Sequence, residues 1–125
     1  MTYRFLSLAL GTVATALFGA LLFLPDVLLG VFAVDGTASA IFVARRTAML
    51  FVGYAMLGFG LASVTDRTVQ RTTAAAYTLT MLGLVILGIY EFGRGFAGTG
   101  IFLAVFTELF FTVFFGRLWL TLRQG

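Results

Sequence analysis

The sequence predicts an all-α integral membrane protein that folds as a single four-helix domain over residues 1–125. The first reason is composition: 61% of the residues are hydrophobic and 10% are charged, whereas a soluble domain has about 25% charged residues. The second is that four apolar segments are each long enough to cross a hydrocarbon core of about 30 Å at about 1.5 Å per residue. These segments are residues 5–24, 44–64, 73–90 and 97–118.

The first segment, residues 5–24, contains no charged residue and is followed by Pro25, which ends it. A secretory signal peptide is the competing interpretation, because Arg4 gives the chain a short basic amino terminus. The apolar run is longer than the roughly 7–15 residues of a signal-peptide core, and no small-residue cleavage site ends it. We therefore expect this segment to be retained as the first transmembrane helix.

The second segment, residues 44–64, follows a long irregular linker. In this linker Asp35-Gly36-Thr37 is typical of a turn followed by a helix N-cap. We therefore expect the second helix to begin before the arginine pair at positions 45 and 46. The pair should then lie at the outer end of the span.

The third and fourth segments, residues 73–90 and 97–118, are separated by the glycine-rich stretch GRGFAGTG. This stretch has no preceding strand and no Lys-Ser/Thr pair, so it predicts a flexible hairpin and not a phosphate-binding loop. Glu108 is the only charged residue between Gly95 and Gly116. The fourth span therefore carries a single carboxylate.

Arginine counts on the two sides of the membrane predict the orientation. All eight basic residues are arginine, and cytoplasmic loops of membrane proteins carry an excess of Lys and Arg. Five arginines are expected on the side of the chain termini: Arg4, Arg67, Arg71, Arg117 and Arg123. Three are expected on the opposite side: Arg45, Arg46 and Arg94. We therefore expect a multi-pass protein of the cytoplasmic (inner) membrane with an N-in/C-in arrangement.

The chain contains no cysteine and no histidine. Disulfides, thiolate nucleophiles, Ser/His/Asp triads, structural zinc sites and His-ligated haem or copper are therefore excluded. We predict no catalytic residues and no metal site, and the sequence assigns no cofactor. The net charge of +3 comes from arginines that flank apolar segments, which is typical of anchoring in a lipid bilayer and not of nucleic-acid binding.

Glu108 is the candidate functional residue of the interior. A charged side chain that faces lipid near the bilayer centre is costly, so we expect Glu108 to point into the bundle, with Thr112 on the same helix face. Counting about 1.5 Å per residue from the cytoplasmic boundary places four more polar residues at a similar depth. They are Thr12, Thr15, Tyr54 and Thr80. We expect Glu108 to be hydrogen-bonded within this polar layer, either as a structural interhelical contact or as a ligand or proton site.

A second polar group is expected at the non-cytoplasmic boundary. It contains three positive and three negative side chains: Arg45, Arg46, Arg94, Glu91, Asp35 and Asp26. Arg46 shares a heptad stripe with Gly53 and Gly60, which predicts that Arg46 points into the bundle more than Arg45 does. Two interpretations of this outer charge cluster stay open. Its members are either span-end charges satisfied by water and one another, or a polar mouth over a cavity floored by Glu108.

Aromatic residues recur along one face of the fourth segment, at four-residue spacing. They are Phe102, Phe106, Phe110 and Phe114, with Phe111 and Phe115 beside them. Phenylalanine is at home in hydrocarbon, so a lipid-facing stripe is one interpretation. The alternative is a contact surface for another membrane subunit, a quinone, a pigment or a lipid tail.

Three features follow one another along the sequence and together cover nearly the whole chain. The first span ends at Pro25 with Leu28-Leu29-Gly30 close behind; Arg46 opens a second span rich in glycine; and Glu108 is followed by an apolar run in the fourth. In this order the chain resembles small bacterial four-helix membrane proteins related to the DoxX/DoxD-like group. The resemblance implies a four-helix bundle in the bacterial cytoplasmic membrane with no assigned reaction. The absence of cysteine and histidine departs from the redox role that better-known members suggest.

The interpretation we favour is a non-enzymatic small membrane protein whose bundle binds a lipid or other lipophilic molecule near Glu108 and the outer arginines. The alternative is an accessory or structural subunit of a larger membrane complex, or a homo-oligomer, packed through its Phe-rich fourth helix. A channel or transporter would need a continuous polar stripe along a helix, and none of the four segments has one. An enzyme acting on lipids would use Glu108 as acid or base, but no nucleophile accompanies it.

Overall fold

The computed structural model describes residues 1–124, which form five helices and no strand. The helices are α1 (Tyr3–Phe23), α2 (Pro25–Val31), α3 (Ala38–Gly60), α4 (Arg67–Gly93) and α5 (Ile101–Gln124). All except the short α2 are long and apolar enough to cross a membrane, which confirms the predicted all-α bundle of four spans. We call the end that carries α2 and the 94–100 linker the loop end, and the opposite end the terminal end.

The helix boundaries follow capping residues more closely than hydropathy. Thr37 accepts a hydrogen bond from the backbone N–H of Ala40 at 3.2 Å, so the predicted N-cap is confirmed and α3 begins at Ala38 instead of residue 44. Asp66 caps α4 in the same way, accepting from Val69 at 2.9 Å. As a result α4 includes a polar first turn that the apolar stretch of residues 73–90 leaves out.

The four long helices pack as two close pairs, α1 with α3 and α4 with α5. The α1–α3 pair is held by small residues: a methyl group added at Gly58 would lie 2.8 Å from the Gly11 backbone. Ala44, Ala48 and Ala55 line the same buried face of α3. Small residues let helix backbones approach closely in lipid, where no hydrophobic drive brings helices together. The first pair is therefore held by backbone proximity.

Large side chains fill the seam between the two pairs. Buried residues from three helices form its core: Leu6 and Leu10 of α1, Tyr77 and Met81 of α4, and Phe111 and Phe115 of α5. Phe110 and Phe114 pack against this cluster, so most of the aromatic stripe expected to face lipid is partly or wholly covered by the protein itself. Phe106 is the stripe residue that faces outward most fully, with 67% of its surface exposed.

The loop end is fastened by a contact between the two halves of the chain. The backbone N–H of Gly98 donates to the Phe32 carbonyl at 2.7 Å, and a methyl group at Gly98 would lie 2.6 Å from the Ala33 Cβ. Ala33 ends the turn after α2 in the left-handed region, with φ of 53°. The glycine hairpin is therefore packed against the end of α2 and is not a free flexible loop.

Candidate functional site

Two residues of the predicted polar layer meet across the seam. The Tyr54 hydroxyl of α3 donates to the Thr80 hydroxyl of α4 at 2.9 Å, and the Thr80 hydroxyl donates in turn to the Ala76 carbonyl at 2.9 Å. Both side chains are half-buried. This chain of two hydrogen bonds is a direct polar link between the α1–α3 pair and the α4–α5 pair.

Glu108 lies beside this link, at a small cavity in the centre of the bundle. The cavity has a volume of about 40 Å³ and is lined by all four long helices, with Leu10, Tyr54, Met81 and Glu108 among the lining residues. A water molecule occupies about 30 Å³ in the liquid. The cavity can therefore hold one water against the Glu108 carboxyl, but no lipid.

The expectation that Glu108 is hydrogen-bonded within the polar layer is wrong. No group of residues 1–124 donates a hydrogen bond to its carboxyl, and the hydroxyls of Tyr54 and Thr112 donate elsewhere. Tyr54 bonds to Thr80, and Thr112 donates to the Glu108 backbone carbonyl at 2.8 Å. Glu108 is thus a half-buried carboxyl whose protein neighbours leave it open to water or to a ligand.

The predicted interior position of Thr12 and Thr15 is also wrong. Both are exposed on the outside of α1, and each donates to a carbonyl four residues earlier, Leu8 at 2.9 Å and Gly11 at 2.8 Å. A threonine hydroxyl that bonds back to its own helix needs no partner on another helix. These two residues therefore belong to the lipid-facing surface.

An apolar cleft lies between α3 and α4, and Tyr54 and Thr80 are among its lining residues. It has a volume of about 150 Å³, and its lining includes Thr47, Leu50 and Phe51 of α3 and Leu84 of α4. Leu50, at its rim, is 68% exposed. Four residues line both the cleft and the Glu108 cavity: Phe51, Tyr54, Met81 and Leu84. The two spaces are therefore neighbours that share part of their walls.

Sequence reasoning missed a set of buried hydroxyls near the terminal end. The hydroxyls of Tyr3, Ser7 and Tyr77 are buried and find no hydrogen-bond partner in the described part of the chain. The Tyr77 ring lies 5.7 Å from the Tyr54 ring, so this set borders the polar link. The spacing that could have revealed them is helical, because Tyr3 and Ser7 are four residues apart and Tyr77 is three residues before Thr80.

The outer charge cluster is not one network. Across residues 1–124 the single ion pair joins Glu91, in the last turn of α4, to Arg94, which caps the C-terminus of this helix. The two groups are 3.7 Å apart, and both side chains are partly exposed. Asp35 is exposed in the linker before α3. The prediction that Arg46 points inward is wrong: at about 100° per residue it lies roughly opposite the buried Ala44 and Ala48, and it is exposed, as is Arg45.

The heptad stripe of Gly53 and Gly60, which suggested the inward direction of Arg46, is exposed as well, and Gly58 takes its place in the contact with α1.

No protein-family model, curated protein or solved structure matches the chain. The resemblance to the DoxX/DoxD-like group therefore stays a prediction from the sequence. What the geometry shows is a protein with four candidate membrane spans, whose central carboxyl and apolar cleft share the seam between two helix pairs.

Proposed function

We propose that this protein binds a lipophilic molecule, with a lipid acyl chain as the ligand class, in the cleft between α3 and α4, and that it catalyses no reaction. The observation that carries the proposal is the cleft itself, about 150 Å³ of apolar space at the seam. Its walls, Leu50, Phe51 and Leu84 among them, offer a flexible hydrocarbon chain dispersion contacts on both sides.

The size of the cleft favours a chain segment over a whole molecule. Sites for drug-sized ligands usually have about 300–1,000 Å³ and enclose most of the ligand surface. The cleft, at about 150 Å³, is smaller, so it would grip part of a ligand whose remainder stays in the bilayer. The sequence suggested a ligand inside the bundle, near Glu108. The 40 Å³ of the central cavity favour a position further out, between α3 and α4.

Glu108 would then be the polar end of an extended site. Rotation of the Phe51 or Met81 side chain would join the cleft to the central cavity, because both residues line both spaces. A ligand with a hydroxyl group at its tip could then donate a hydrogen bond to the Glu108 carboxyl, to which no group of residues 1–124 donates. Side chains fill the seam between the two helix pairs. Rotation of one of them therefore does not require the helix backbones to move apart.

The alternative role, an accessory subunit docked through the Phe-rich α5, has less support. Phe111 and Phe115 are buried inside the protein, and Phe110 packs against them, so little of the aromatic stripe is left to contact a partner. The outward residues of α5, such as Leu103 and Phe106, are ordinary lipid-facing side chains.

The test uses two tryptophan variants at residues of equal exposure. Leu50→Trp places an indole at the rim of the cleft, whereas Leu103→Trp, on α5, adds the same group away from it; the two leucines are 68% and 69% exposed. Each protein is incorporated into vesicles that contain a phospholipid with a photoactivatable acyl chain. After irradiation, the sites of crosslinking are mapped by mass spectrometry.

We expect the wild-type protein and Leu103→Trp to crosslink at cleft residues, Leu84 above all, and Leu50→Trp to lose at least about four-fifths of that signal. Uniform labelling of all lipid-facing residues in the wild-type protein would refute the proposal. Equal labelling of the cleft in both variants would refute it too. Native mass spectrometry from mild detergent gives an independent check, since a stoichiometric protein partner without bound lipid would favour the subunit role.

A further inference from the structure

A second groove lies on the opposite side of α3, near the loop end. Its volume is about 670 Å³, and it opens widely to the surroundings. It is lined by Leu22 of α1 and by six residues of α3: Ala38, Ile41, Phe42, Arg45, Arg46 and Met49. None of these residues lines the cleft between α3 and α4. The arginine groove, as we call it, is therefore a separate site.

The packing of α1 on α3 fixes the depth of this groove. Leu21 of α1 packs in one cluster with Ala44 and Ala48, so Arg45 and Arg46 lie beside the last turn of α1. Leu21 is eight residues beyond Val13 at the middle of α1, or roughly 12 Å at 1.5 Å per residue. Half of a 30 Å hydrocarbon core is about 15 Å thick. The long aliphatic stem of an arginine lets its guanidinium group reach over the remaining distance to the headgroups.

The two arginines of the groove have no acidic partner among residues 1–124. The one ion pair within residues 1–124 joins Glu91 to Arg94, so no carboxylate lies within 4.0 Å of Arg45 or Arg46. The Arg46 guanidinium carbon lies 5.7 Å from the centre of the Phe42 ring, a cation–π contact that holds the group at the groove wall. Each guanidinium group offers several N–H donors in a planar arrangement that matches the oxygens of a phosphate.

We propose that Arg45 and Arg46 bind the phosphate of an anionic phospholipid, whose acyl chains run past Met49 towards the bilayer centre. Anionic headgroups are favoured because no amine of the headgroup offsets the phosphate charge that the two arginines attract. Met49, one turn further along α3 than Arg45, supplies an apolar contact for the acyl chains on the bilayer side of the arginines, and the remaining apolar lining flanks the arginines towards the loop end. This inference goes beyond the proposed function, because it concerns another site and selects the ligand by its headgroup.

The test compares two double variants that remove the same charge from opposite ends of the bundle. Arg45→Gln/Arg46→Gln changes the groove. Arg4→Gln/Arg117→Gln, at exposed positions of the terminal end, is the matched control. Each protein is purified from vesicles of equal parts phosphatidylglycerol and phosphatidylcholine, and retained lipids are counted by native mass spectrometry. Circular dichroism establishes that both variants keep the helical content of the wild-type protein.

We expect the wild-type protein to retain phosphatidylglycerol over phosphatidylcholine. The groove variant should reduce that preference roughly tenfold or more, because it removes the charge-assisted hydrogen bonds from both guanidinium groups to one phosphate. The control should keep the preference within about threefold. Arg45→Lys/Arg46→Lys should retain part of it, since lysine keeps the charge but not the planar pair of donors. An equal loss in the control would overturn the proposal, as would a wild-type protein without preference. Leu50→Trp should leave headgroup selection unchanged, which separates this test from that of the cleft.

Discussion

Gly58 is the residue at which the packing of α1 on α3 can be tested most sharply. In Gly58→Ala the new methyl group would lie 2.8 Å from Gly11 Cα and 2.9 Å from the Ser7 carbonyl oxygen, whereas ordinary contacts begin near 3.4 Å. Both neighbours are backbone atoms, so no side chain can rotate away and the helices must move apart by roughly half an ångström. Overpacking of this kind costs about 1–3 kcal/mol.

Gly53→Ala is the matched control, because a methyl group at Gly53 would meet nothing within 4 Å. It should be neutral, or stabilising by up to about 1 kcal/mol through the higher helix propensity of alanine. The free energy of unfolding of each variant is measured in mixed micelles by titration with dodecyl sulfate, followed by circular dichroism. If Gly58→Ala matched the wild-type protein while Gly53→Ala lost stability, α1 would pack along the Gly53 face, and the contact described above would be wrong.

Two further pairs of variants test the seam and the loop end. Tyr54→Phe removes the donor to Thr80 and should lower the free energy of unfolding by about 0.5–1.5 kcal/mol. Tyr77→Phe removes a buried hydroxyl without a protein partner and should be neutral or stabilising; a loss as large as that of Tyr54→Phe would mean that an ordered water or a ligand satisfies Tyr77. Ala33→Gly should stabilise the protein by about 1 kcal/mol, since the left-handed conformation costs an L-residue about that much, and unchanged stability would contradict the positive φ. Gly98→Ala should instead release the hairpin from Ala33, seen as faster hydrogen exchange of the residue 98 amide; protection equal to that of the wild-type protein would refute the contact.

The spans and the Tyr54–Thr80 contact show what one sequence can predict. Long apolar runs report membrane crossing directly, because the hydrocarbon core admits few polar groups. Thr37 was recognisable as a cap from its place after Asp35-Gly36. Tyr54 and Thr80 were placed at one depth by counting the rise of each helix, and antiparallel helices of similar length keep such a register.

The faces of the helices were predicted less well, for a physical reason. Small residues occur at many positions of α3, so stripes through Gly53, through Gly58 and through Ala48 are all compatible with close packing. Which of them meets α1 depends on the partner surface, where Ser7 and Gly11 lie opposite Gly58. The predicted interior position of Thr12 and Thr15 on α1 is wrong for another reason. A threonine hydroxyl that donates to a carbonyl of its own helix is tolerated on the lipid-facing side as well as on the interior side.

The two-pair construction also bears on how the protein assembles in the membrane. The first pair is complete by Gly60, and the second begins at Arg67, so each is a hairpin made from one continuous stretch of chain. Contacts between nearby residues form faster than distant ones, and domains emerge from synthesis in order from the amino terminus. We therefore expect the α1–α3 hairpin to settle in the bilayer before α5 has been made. We expect the hydrogen bond from Gly98 to Phe32 to form later, because Gly98 lies in the linker between α4 and α5 and is synthesised after the first hairpin.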